Sequence, residues 1–156
     1  MYQNEITNSL SKDKKKEIYN KEKNLLIFKK SNENFDEFIL KNHLDEDVIY
    51  ASNGFTNDVI GRENVLSYLL NRYKYFKKYK TYKERSLKKA YANGFVEKYP
   101  YLDFNFEPCL ALEINSINCG YFVININEYN LIEKIMTVDV PFQSIQLVDS
   151  FIIENN

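Results

Sequence analysis

The chain has no tryptophan, one histidine, two cysteines, three prolines and four glycines in 156 residues. Without tryptophan, its 13 tyrosines and 11 phenylalanines must supply most of the large core volume. Cys109 and Cys119 lie too far apart for a CxxC motif, and His43 alone cannot complete a typical zinc set. No metal site and no cofactor are therefore expected. No run approaches the ~20 apolar residues that span a bilayer. The opening "MYQNEITNSLSKDKKKEIYNKEK" lacks the apolar core of a signal peptide. The expectation is a cytoplasmic protein without membrane contact. The low Gly and Pro content, beside abundant Asn and Lys, reads as coding bias.

Hydrophobic residues at 44% and charged residues at 28% are ordinary for a soluble globular protein. A domain of this length buries roughly 70% of its unfolded surface. No internal repeat or linker is visible, so residues 1–17 are read as a polar N-terminal segment and 18–156 as one domain. Ile18, Leu25, Leu26 and Phe28 predict a helix to about Lys30, after which "SNEN" (31–34) offers N-cap side chains. Phe35, Phe38 and Ile39 have the spacing of a short helix with one buried face, ending near His43. "DVIYAS" (47–52) predicts a first strand. Gly61 then precedes a helix whose stripe is Leu66, Leu69, Tyr73 and Phe76, with Lys74, Lys77 and Lys78 opposite.

The second half changes period. "EPCLALEIN" (107–115), "CGYFVININ" (119–127) and "NLIEKIMTVDV" (130–140) predict an antiparallel meander with turns at "NSIN" and "NEYN". "QSIQLVDSFII" (143–153) adds a fourth candidate strand, and 80–106 are the least legible. Helices first and an antiparallel sheet afterwards is the α+β pattern. Hairpins centred between Ser116 and Ile117, and between Glu128 and Tyr129, keep the cysteines apart, so no disulfide is expected. That register puts Cys109, Ala111, Glu113, Gly120, Phe122, Ile124, Ile135, Thr137 and Asp139 on one face. Leu110, Leu112, Ile114, Tyr121, Val123, Ile132, Met136, Val138 and Val140 take the other. Both faces are largely apolar. Helices can cover one and a second subunit the other.

Two helices, then "LDEDVIYAS", then a loop ending "IGRENVLSYLLNRY", then long strands, resemble the nuclear transport factor 2-like superfamily, which includes ketosteroid isomerase-like and SnoaL-like polyketide cyclase-like proteins. The matching features are an acidic end to the helix pair, a D-V-x-Y strand and a G-[KR]-E-x-[VI] helix opening, within about 18–140. The resemblance implies N-terminal helices packed on a curved antiparallel sheet, a cone or cystatin-like roll. It also implies a pocket for a small apolar or mixed-polarity ligand, and a homodimer through the sheet. The superfamily's isomerase-type enzymes need a carboxylate base in an apolar pocket, with ketosteroid isomerase as the reference case. Here the first strand ends Tyr50-Ala51-Ser52-Asn53 and supplies no carboxylate.

Asp139 and Glu113 are the remaining candidate acids, for catalysis or ligand orientation; a strand end in solvent or a lysine partner is the alternative for Asp139. Tyr50, Asn53, Tyr68, Phe122 and Cys109 are candidate pocket residues; core filling with a hydrogen-bonded hydroxyl is the alternative for Tyr50 and Tyr68, and Cys109 is a nucleophile only beside a base, with a small core residue as its alternative. Arg72 is a candidate for an anionic ligand or an exposed helix charge. His43 sits where an imidazole caps a helix end. The segment 72–89, "RYKYFKKYKTYKERSLKK", holds nine Lys or Arg and one Glu, so it carries +8 and the rest of the −1 chain −9. A solvated helix face is the preferred reading, an acidic protein partner the next, and nucleic acid the last. Three functions stay open: a non-catalytic small-molecule or interaction module, an isomerase- or cyclase-like enzyme using Asp139, and an immunity-type or regulatory protein that binds through its basic helix.

Overall fold

Helix α1 (Lys12–Asn34) begins where Ser11 Oγ accepts the Lys14 backbone N–H at 3.2 Å. The computed structural model describes residues 10–52, 57–79, 85–96, 99–139 and 144–151, with the backbone alone at 95, 96, 99–103, 139 and 144. Helix α1 runs through "SNEN" instead of stopping at Lys30. It ends on Phe35, a left-handed residue at φ 51°, and the Asp36 N–H returns to the Ser31 carbonyl at 3.0 Å. Phe35 tolerates this conformation because its ring packs on Tyr73 and Phe76, with centroids 6.0 and 6.1 Å away. The extra turn carries Ser31 and Asn32 into the interior. A 3-10 helix (Glu37–His43) follows, capped by Asp36 Oδ1 on the Phe38 N–H. Its buried residues are Glu37 and Leu40; Phe38, expected inside, is 69% exposed.

Strand β1 (Leu44–Ser52) pairs with the two-residue β2 (Val59–Ile60). Helix α2 (Arg62–Lys78) then buries Val65, Leu66, Leu69, Tyr73 and Phe76 and exposes Lys74, Lys77 and Lys78. The long strands β3 (Arg85–Val96) and β4 (Tyr99–Ile114) are followed by β5 (Ile117–Ile126), β6 (Ile132–Asp139) and β7 (Ser144–Leu147). The sheet is curved and unclosed, in the order β2-β1-β6-β5-β4-β3-β7. Among the described residues every pairing is antiparallel except β1 with β6. Among the described residues no helix is long and apolar enough to cross a membrane.

Two clusters mark the two faces. The first joins the helices to Val48, Tyr50, Leu87, Leu110, Phe122, Ile124, Ile132 and Ile135. The second is made of strand residues only: Ala90, Ala92, Phe104, Cys109, Ala111, Tyr121, Val123, Met136 and Val138, all buried within the single chain. The expected division is kept for Phe122, Ile124, Ile135 and Thr137, but β4 is reversed. Leu110 packs under the helices, while Cys109 and Ala111 lie on the other face. The hairpin turns on Asn115 and Ser116, both at positive φ, and the register shifts between Leu112↔Gly120 and Glu113↔Asn118. Cys119 is the extra residue of this bulge, which moves β4 by the one position that exchanges its faces. A second shift, between Asn125 and Ile126, accompanies Ile132 to the helix side.

Gly61 opens α2 without a side-chain cap, at φ 97°, with its N–H on the Val48 carbonyl at 2.8 Å. Among the described residues a Cβ there would meet only Asn64 Nδ2, at 3.7 Å. The obstacle to a side chain is therefore backbone conformation and not collision. Gly61→Ala is expected to destabilise the fold by about 1–3 kcal/mol. Urea unfolding checks this as a lower midpoint at constant slope; an unchanged midpoint would show that the β2–α2 junction relaxes freely.

Candidate functional site

A cavity of about 260 Å³ opens between the last turn of α1, helix α2 and the concave sheet. Tyr50 and Ser52 come from β1, Tyr68, Leu69, Arg72, Tyr73 and Phe76 from α2, and Arg85 from β3. Leu112, Ile114, Cys119, Phe122 and Thr137 complete the sheet side, and Asn32 the α1 side. The β1–β6 pairing sets Ser52 opposite Thr137 and Tyr50 opposite Ile135. The Tyr50 hydroxyl shares a hydrogen bond with Thr137 Oγ1 at 3.1 Å, and its ring meets Tyr68 at 5.0 Å. Burial, opposed by that hydrogen bond, pushes the Tyr50 phenol up to about 12. Tyr68 is raised by burial too, with Arg72 pulling against it.

At the α1 side, four hydrogen bonds run in one direction. Ser31 Oγ donates to the Asp36 carbonyl at 2.8 Å, which uses its only proton. Tyr73 must therefore be the donor in its 3.0 Å contact with Ser31 Oγ. Its oxygen accepts from Asn32 Nδ2 at 3.1 Å, which turns Asn32 Oδ1 toward Arg85, whose Nη2 donates to it. The Arg85 guanidinium also lies over the Phe76 ring, 4.8 Å from its centroid. Burial lowers the Arg85 pKa. Among the described residues the one carboxylate acting against that shift is Glu33, the least of its causes, and Glu33 is paired with Lys29 at 2.7 Å. Arg72 stands at the exposed rim, over Tyr68 and Phe76 at 5.7 and 5.1 Å. No carboxylate lines the cavity among the described residues.

Of the residues singled out in the sequence, Tyr50, Tyr68, Arg72 and Phe122 line this cavity. Cys109 does not: it is fully buried on the strand-only face, and burial followed by the Glu107 charge pushes its thiol up to about 12. Glu113 does not either, because the bulge turns it outward to Lys88, with which it pairs at 3.1 Å. Asn53 lies outside the described residues, and for Asp139 only the backbone is described, paired with Gly120. His43 ends the 3-10 helix. Arg85, Asn32, Ser52, Thr137 and Cys119 were not singled out. For Arg85 a signal exists: Arg85 and Leu87 are two apart in a strand, and Leu87 is core.

No protein-family model matches the chain, and no curated protein matches it. Solved structures do. One is a candidate ketosteroid isomerase from Kribbella flavida, with 11% identity and a TM-score of 0.50 over 81% of this chain and 82% of that one. Another is an uncharacterized bacterial protein with a cystatin-like fold from Silicibacter pomeroyi, with 17% identity and a TM-score of 0.49 over 72% of this chain and 70% of that one. A third is an epoxide hydrolase from M. tuberculosis, with 12% identity and a TM-score of 0.44 over 78% and 84%. At these identities the likeness concerns fold and not reaction. With its helices seated in the concavity of an unclosed sheet, the chain has the cone fold of the nuclear transport factor 2-like superfamily.

Proposed function

We propose that the protein binds a small organic molecule inside its cone, and that binding, without a carboxylate-driven reaction, is its function. The carrying observation is the cavity itself, walled by apolar rings and holding a few convergent polar groups: the Tyr50–Thr137 pair, Asn32 and Arg85. The described lining offers no carboxylate base, and a phenol held near 12 keeps its proton at neutral pH. The test is a fragment screen by ligand-observed NMR on the wild type and on Leu112→Trp, which fills the cavity from its sheet wall. Fragments are expected to compete for one saturable site that Leu112→Trp closes. Saturable binding that a folded Leu112→Trp variant leaves intact would refute this reading.

One observation supports an enzyme instead. Thr137 lines the cavity, and β6 continues two residues further, to Asp139. An isomerase- or cyclase-like reaction with Asp139 as acid and base would exchange an acidic C–H of a bound ketone with solvent deuterium. Wild-type exchange that is lost in Asp139→Asn would establish this second reading; no exchange with a bound ketone would leave the binding function standing.

A further inference from the structure

We infer that the cavity takes a small organic acid: a carboxylate on a flat apolar body, the carboxylate held by Arg85 and the body received by Tyr50, Tyr68 and Phe122. This rests on the cavity being a binding site, and it adds the chemical class of the ligand. The charges lining the described cavity are both positive, Arg85 within and Arg72 at the rim. A desolvated guanidinium is costly unless an anion meets it. Arg85, partly buried, has among the described residues a neutral amide oxygen and an aromatic face instead. Its hydrogen bond to Asn32 is its only one among the described residues, so most of its five donors remain for a bidentate carboxylate.

The one-way chain through Ser31, Tyr73 and Asn32 holds the Asn32 oxygen on Arg85, so the guanidinium is oriented before a ligand arrives. The aromatic walls favour a planar apolar body over a hydrated phosphate. The volume of about 260 Å³ lies just under the roughly 300–1,000 Å³ of drug-sized sites, which fits one or two rings.

The experiment uses matched pairs: phenylacetate, cinnamate and 1-naphthoate against their primary amides, titrated by NMR into the full chain. The acids are expected to bind at least about tenfold tighter than the amides, since a charge-assisted hydrogen bond is worth that much. Arg85→Gln should erase the difference. Asn32→Asp should erase it as well, by placing a carboxylate of the protein's own on Arg85, and it serves if Arg85→Gln does not fold. Equal binding of acids and amides overturns the inference and leaves the cavity as a neutral binding site. An acid preference that survives Asn32→Asp and a folded Arg85→Gln overturns the role of Arg85. Binding of neither class overturns the cavity reading and the inference together.

Discussion

Replacing Phe122 with alanine is expected to cost about 3–5 kcal/mol of stability. Phe122 has two duties at once. Its ring meets Phe28 of α1 at 5.0 Å, inside the helix-side core, and it also forms part of the cavity wall. Both rings are buried, and Phe28 has no exposure at all. Truncation removes the contact and leaves a void continuous with the cavity, which the surrounding strands cannot fill by collapse. Guanidinium unfolding should show the midpoint fall with little change in slope. A loss below about 1 kcal/mol would mean that α1 settles onto β5 and that the cavity wall is soft.

Alkali should unfold the protein sooner than an ordinary tyrosine-rich domain. Tyr50 and Tyr73 are both buried, and their phenols are held above the usual range, chiefly by desolvation. Cys109 is held up in the same way. Each group therefore binds its proton more tightly folded than unfolded. The stability tied to the tyrosines is complete below about pH 10, the usual phenol value, and drains away as pH climbs toward their folded values. For Tyr50, raised to about 12, this amounts to something on the order of 3 kcal/mol. Cys109 begins its share earlier, from about pH 8.5. Thermal melts stepped through this range, with tyrosinate absorbance recorded alongside, should show unfolding and the last phenol ionisations arriving together. Tyr50→Phe should flatten the alkaline slope. Ionisation of every tyrosine in the native state near pH 10 would contradict this account.

The helices and strands were legible where one period dominates. The stripe Leu66, Leu69, Tyr73 and Phe76 is buried residue for residue because a helix on a concave sheet has a single apolar face. The faces of β5 and β6 were legible from alternation, apart from Ile132, which a second register shift carries to the helix side. The faces of β4 were not, since a one-residue bulge at Cys119 leaves no mark in composition while exchanging every side chain on one strand. Strand β3 was hidden by its own residues: Lys88, Lys89, Asn93 and Gly94 are poor strand formers, and β4 and β7 on either side hold it in the sheet. The site was half legible for the same reason. Tyrosines and Arg72 on a recognisable helix and strand could be placed. Arg85, lost in a basic run, was not placed, because its alternation with core Leu87 can be used only once β3 is known to be a strand.

The lone parallel pairing, β1 against β6, sets an order in time. Hairpins β3–β4, β4–β5 and β5–β6 join consecutive strands, but Tyr50 and Thr137 are 87 positions apart. Closing so long a loop costs entropy before any contact rewards it, so this part of the cavity wall is expected to be completed late, after the folding barrier. A ligand that binds only the finished cavity would then leave the folding rate nearly untouched and slow unfolding instead. It would lengthen the lifetime of the native protein without hastening its birth.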